Sequence, residues 1–187
     1  MELLIISLLI LLNGVFSLSE IAIISSSKSR LEQMKNEGSR GAATALKLLG
    51  NSENFLSSIQ VGITLIGIVT GMYGGISIAD DIAPFFLRFE ITSNSAQEIS
   101  LALTVIVITY FSIVIGELVP KTIALSNPEK IAIRVAPFVN WFSILFYPVV
   151  RVLSYSTAFI NKVLGIRKHS RHLTEKEIRQ ILKRASL

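Results

Sequence analysis

The stretch ISLALTVIVITYFSIVIG, Ile99 to Gly116, decides the class of this chain. It runs eighteen residues without a charge and shows none of the amphipathic period of a soluble helix. A helix needs about 20 mostly apolar residues to cross a hydrocarbon core of about 30 Å. Working outward, Leu3 to Leu18 is equally free of charge, and that run continues to Ser27 with only Glu20 interrupting it. Asn54 to Ala79 is uncharged throughout. Val135 to Val150 is uncharged too, but carries Pro137 near its start and Pro148 near its end. With 51% hydrophobic residues and a mean hydropathy of +0.60, the expectation is an all-α membrane protein. Its spans should cover about residues 3–27, 54–79 and 99–121.

The first span does not read as a cleaved secretion signal. Met1-Glu2 is not a basic leader, the apolar run is too long, and no A-x-A-like site follows. The absence of cysteine excludes disulfides, thiolate metal sites and redox motifs. A net charge of +5 would suit nucleic acid, but no recognition motif or basic–aromatic interleaving accompanies it. In a membrane protein such charge marks cytoplasmic loops. Neither a nucleic-acid partner nor an enzymatic activity is expected.

Loop charge orients the spans. Lys28, Arg30, Lys35, Arg40 and Lys47 place the loop from Lys28 to Glu53 in the cytoplasm. The loop from Asp80 to Glu98 has only Arg88 against Asp80, Asp81, Glu90 and Glu98, and belongs outside. Lys121, Lys130 and Arg134 return the chain to the cytoplasm. The N-terminus is thus expected outside and the C-terminus inside, in a multi-pass protein of the inner or plasma membrane. The fourth apolar block has basic residues on both sides: Arg134 before it, then Arg151, Lys162, Arg167, Lys168 and Arg171. It is expected not to span, but to form a proline-kinked, re-entrant or juxtamembrane helical pair over about residues 130–164. The break would fall near Pro148, with Trp141, Phe142, Phe146 and Tyr147 at the interface; the alternative is an ordinary fourth span. Two short helices, Ser29 to Glu37 and Ala42 to Leu49, are expected around a Gly38/Gly41 break. Thr174 and Glu177 form a capping-box pattern within a basic linker helix, residues 165–187. The chain stops inside that pattern, as though leading to a further cytoplasmic module.

Polar residues inside spans are costly, so their clustering is informative. Asn13, Ser17 and Glu20 share a face of span one by their spacing of four and three. Ser57, Gln60, Thr64, Gly67 and Gly71 share a face of span two, and Thr109, Ser112 and Gly116 one of span three, with Glu117 beside it. The sharpest local signal is Gly116-Glu117-Leu118-Val119-Pro120-Lys121. Pro120 has no N–H to give the Gly116 carbonyl, which would be left free beside a carboxylate. Carbonyls, hydroxyls and carboxylates are the ligands that hard divalent cations prefer, and broken helices hold ions this way in other transporters. The alternative is a plain proline kink with a Glu117–Lys121 pair at i, i+4. Asp80 and Asp81 could draw a leaving cation by their field, or simply mark a solvated helix end.

Three stretches carry a family resemblance. Asn13-Gly14-Val15-Phe16-Ser17-Leu18-Ser19-Glu20-Ile21-Ala22 resembles the first-helix signature of the cyclin-M/CorC (CNNM/CorC) family. Gln60-Val61-Gly62-Ile63-Thr64-Leu65 is similar to its second-helix signature, and Gly116 to Lys121 to its G-E-x-x-P-K element. The resemblance implies a homodimeric membrane domain that exports magnesium, and by extension cobalt, in exchange for sodium. It also implies a following CBS-pair module that binds ATP. Carried onto this chain, the metal-binding residues would be Ser17, Glu20, Gln60, Gly62, Thr64, Gly116 and Glu117. Ile63 stands where many members have Asn, so Gln60 is the nearest substitute ligand. Export of an organic cation such as a polyamine, which Glu20 and Glu117 would serve equally well, is the rival within transport. A non-transporting sensor or scaffold is the rival outside it.

Overall fold

The computed structural model describes residues 1–87 and 93–165. Among these every regular element is helical: α1 (Glu2–Ser25), α2 (Lys28–Asn36), α3 (Arg40–Gly50), α4 (Ser52–Leu87) and α5 (Ser93–Ile113). A π-helical segment, Val114–Leu118, then leads into α6 (Val119–Ser126), α7 (Pro128–Leu145) and α8 (Tyr147–Val163). Three stretches are long and apolar enough to cross a bilayer: Glu2–Ser25, Ser52–Gly75 and Ser95–Ser126. The three expected spans are therefore present. The expected linker helix and its capping box at Thr174 lie outside the described residues.

Met1–Val150 forms one compact unit, with α1 at its centre, packed against α3, α4, the π segment, α6 and α7. Local chemistry fixes the joints. Gly38 takes φ +96°, a left-handed conformation that glycine adopts without penalty, and so turns α2 back into α3. Ser39 caps α3 by accepting the Ala42 N–H at 3.2 Å. Pro137, inside α7, cannot donate to the Ile133 carbonyl one turn earlier. Gly41 of α3 lies directly over that carbonyl: a Cβ there would collide with Ile133 O and stand 2.9 Å from its carbonyl carbon. Only glycine lets α3 and α7 approach so closely.

The core below this crossing is aromatic. Phe16 of α1 meets Phe142 of α7 at 4.5 Å and Phe138 at 5.5 Å between ring centroids. Gly62 of α4 makes room for both Phe142 and Phe16. Phe142 is thus a buried packing residue rather than the interface anchor expected, whereas Trp141 and Tyr147 are exposed.

α7 and α8 form the expected bent pair, with a 68° change of direction. The break falls at Phe146, and Pro148 occupies the first turn of α8, where a missing N–H costs nothing. From Arg151 onward the chain counts as a second unit. Its described part continues α8 with Val152, Tyr155, Phe159 and Ile160 exposed.

At the entrance to α2 the Glu129 carboxylate accepts the Ser27 backbone N–H at 3.1 Å and lies 3.7 Å from the Arg30 guanidinium. The Ser27 hydrogen bond, Glu129's own backbone N–H and the Arg30 charge hold its pKa below the ordinary 4.5, outweighing the opposing effect of burial.

Candidate functional site

The site grows from the crossing of α1 with the π segment. Two glycines notch into each other there. A Cβ at Gly14 would stand 3.1 Å from Pro120 Cγ and 3.3 Å from the Ile115 carbonyl oxygen. A Cβ at Gly116 would stand 3.2 Å from both Asn13 Nδ2 and the Ile10 carbonyl oxygen. Short π segments mostly occur as single-turn bulges within helices, frequently at functional sites. Here the bulge comes just before Pro120, whose missing N–H already weakens the α-helical ladder.

Asn13 uses the close approach. Its Nδ2 donates to the Gly116 carbonyl at 3.1 Å, in a buried bond. The Gly116 carbonyl is therefore not free, as its position before Pro120 suggested; a side-chain amide from span one engages it. Asn13 Oδ1 and, one turn along α1, Ser17 Oγ have no hydrogen-bond partner. Asn13 is 7% exposed and Ser17 is fully buried. Two orphaned oxygens on one helix face call for a partner that the chain itself does not supply, such as water or a bound ion.

Glu117 and Lys121 form the i, i+4 ion pair, with Nζ 2.6 Å from Oε1, and both side chains are partly exposed. The carboxylate is thus held by the chain's own ammonium. Glu20 is part-buried, one turn beyond Ser17. Among the described residues no three acidic or histidine side chains converge.

Span two contributes differently from the expectation. Gly62 faces α1 and α7, and its role in the structure is to admit Phe16 and Phe142. Gln60 and Thr64 lie two residues to either side of Gly62, about 200° around the helix, and are exposed. Gly67 and Gly71 are exposed as well, with open space where a Cβ would be. In span three Thr109 is exposed and Ser112 part-buried. Asp81 is exposed, and the side chain of Asp80 lies outside the described residues. The structure thus brings Asn13 onto Gly116, with Ser17 one turn along α1 and Glu117 next in sequence, and leaves Gln60 and Thr64 on the outer face of α4. Asn13 was visible in the polar stripe of span one but was not among the expected ligands. Its signal was the pairing of an amide with a glycine, Asn13-Gly14, in mid-span.

Comparison with known proteins settles the family. Residues 4–186 match the family profile described as "CNNM: Cyclin M transmembrane N-terminal domain". The chain belongs to the CNNM family. As a CNNM membrane domain it is a multi-pass membrane protein, and the resemblance of its three motifs is confirmed. Its relatives include UPF0053 protein sll0260 of Synechocystis sp., 46% identical over the whole chain and 42% of that protein. UPF0053 protein YrkA of Bacillus subtilis is 30% identical over 97% of the chain and 42% of its own length. A Haemophilus influenzae relative named polyamine export protein is 30% identical over 76% of the chain and 33% of its own length. The chain spans about two-fifths or less of each of these relatives.

Proposed function

We propose that this CNNM domain exports magnesium, with cobalt as a second cargo, in exchange for sodium. The observation that carries the reading is the pair of buried, unpartnered oxygens, Asn13 Oδ1 at the Gly116 crossing and Ser17 Oγ one turn along α1. Uncharged oxygens suit a hard cation that keeps part of its water, as magnesium does. Glu117 supplies the charge once the cation displaces Lys121, and Glu20 marks the route from the cytoplasmic side. Gln60 and Thr64, on the outer face of α4, would join the site across a homodimer seam at Gly67 and Gly71. In this reading the N-terminus is outside, the C-terminus is cytoplasmic in an inner or plasma membrane, and a CBS-pair module binding ATP follows.

The relative named polyamine export protein favours a second reading, in which Glu20 and Glu117 bind a polyamine. Thermal unfolding in detergent with magnesium or spermidine separates the two. Magnesium should raise the melting temperature of the wild type and not of Ser17→Ala, since a hydroxyl ligand matters to a metal ion and little to an ammonium. Stabilisation by spermidine alone, lost in Glu117→Gln, would establish the polyamine reading. Stabilisation by neither would leave the scaffold role.

A further inference from the structure

Hydroxyls on helices in apolar surroundings usually bond back to a carbonyl of their own helix, since little else there can accept their proton. Ser7, Ser19, Ser26, Ser57, Ser58 and Ser156 all do so here, four residues back. Thr70, Ser100 and Thr104 do not. They are 2%, 0% and 2% exposed, and none of their hydroxyls has a partner.

Their placement forms a line. Ser100, Thr104 and Ile108 repeat every four residues on one face of α5, and Ile108 Cδ1 lies against Gly74, so that face is turned toward α4. Thr70 precedes Gly74 by one turn on α4. A Cβ at Gly74 would also stand 3.2 Å from Ile6 Cδ1, so α1, α4 and α5 meet at that level. Gly74 faces Ile6 and Gly62 faces Phe16, which puts Thr70 about level with Ile10. The Ile10 carbonyl in turn touches the Gly116 notch. Moving from the Asn13–Gly116 crossing toward the α4–α5 connection, one therefore meets Thr70 with Ile10, then Ile6 with Ile108, then Thr104 and Ser100. Ile6, Ile10 and Ile108 form a small apolar cluster of their own.

We propose that this line is the second half of the cation's path: a hydroxyl-lined passage between α1, α4 and α5, closed here by the isoleucine cluster. It rests on the transport reading. Hydroxyls left untied by their own helix can accept a passing cation's charge in place of water, and an apolar constriction between them stops leakage by excluding water.

This chain has no cysteine, so once any cysteine elsewhere in the full-length protein is replaced, single-cysteine variants report cleanly. In the full-length protein in sealed vesicles, Thr104→Cys and Ser100→Cys should react with a charged methanethiosulfonate at least about tenfold faster than Ile106→Cys. That control position is 65% exposed on the apolar surface, and the reactive thiolate needs water. Equal rates would overturn the passage. Thr70→Val and Thr104→Val should each cut magnesium flux about tenfold while leaving magnesium-induced thermal stabilisation unchanged, because the Asn13–Ser17 site is intact. Flux equal to wild type in both would also overturn it. Labelling needs no transport. Fast reaction at Thr104→Cys in a protein that moves no magnesium would keep a hydrated passage and remove the cargo reading.

Discussion

Gly116→Ala tests the crossing from which the site is built. The new methyl would stand 3.2 Å from the Ile10 carbonyl oxygen and 3.2 Å from Asn13 Nδ2. Both are tighter than ordinary contact, and one is backbone, so α1 must back away by a few tenths of an ångström. Overpacking of this kind costs about 1–3 kcal/mol. Weakening the Asn13–Gly116 hydrogen bond adds about 0.6–1.5 kcal/mol. Replacing glycine in a helix returns about 0.8–1 kcal/mol. The net loss is about 0.6–3.7 kcal/mol, which for a chain of this size lowers the melting temperature by roughly 1–15 °C. Gly67→Ala is the control, because nothing lies within 4 Å of its Cβ position. In detergent-solubilised monomer it should be neutral or stabilising by up to about 1 kcal/mol. Circular dichroism at 222 nm on heating reads both. If Gly116→Ala melts with or above Gly67→Ala, the close α1–π crossing is wrong, and with it the placement of Asn13 on Gly116.

Three further outcomes are expected. Glu129 has a depressed pKa in the folded chain, so its contribution to stability is present above 4.5 and is lost as pH falls below that value through the folded pKa. Wild type should therefore lose more stability than Glu129→Gln on acidification below pH 4.5, measured by thermal melts, and parallel curves would remove the Ser27–Glu129 latch. Lys121→Met removes the ammonium that competes for Glu117, so magnesium should stabilise this variant at lower concentration than wild type; a requirement for more magnesium would make Lys121 a support of the site. Gly71→Leu should weaken dimerisation in detergent without lowering the monomer's melting temperature, because Gly71 faces open space within one chain. A dimer of undiminished strength would place the seam elsewhere.

How much of this was legible in the sequence depended on the kind of residue. Uncharged runs gave the spans directly, and of the expected Gly38/Gly41 break Gly38 makes the α2–α3 turn while Gly41 lies inside α3, because length and turn chemistry are local properties and helix contact is not. Facing was harder. In a soluble helix the apolar stripe points to the core, but lipid is as apolar as leucine and removes that contrast. The polar stripe of Gln60 and Thr64 was correctly found, yet the face of α4 buried within the chain is the opposite one, through Phe55, Ile59, Gly62 and Ile66. Likewise Pro120 pointed to an unusual Gly116 carbonyl, but nothing local could say that Asn13, 103 residues earlier, would engage it. Phe142 read as an interface aromatic because Phe16, the ring from α1 that buries it, is distant in sequence, whereas its neighbours Phe138 and Phe146 are local.

The central claim is that a divalent cation passes through the site at Asn13, Ser17, Gly116 and Glu117. Magnesium efflux from loaded proteoliposomes, followed with an external fluorescent indicator, tests it most directly when the full-length protein is compared with its Glu117→Gln variant. Removing one unit of ligand charge in a low-dielectric site leaves a dehydrated cation uncompensated. Wild type should release magnesium and Glu117→Gln should not, although both fold and reconstitute equally. Equal efflux from the two proteins would make Glu117 a structural partner of Lys121 and contradict the account.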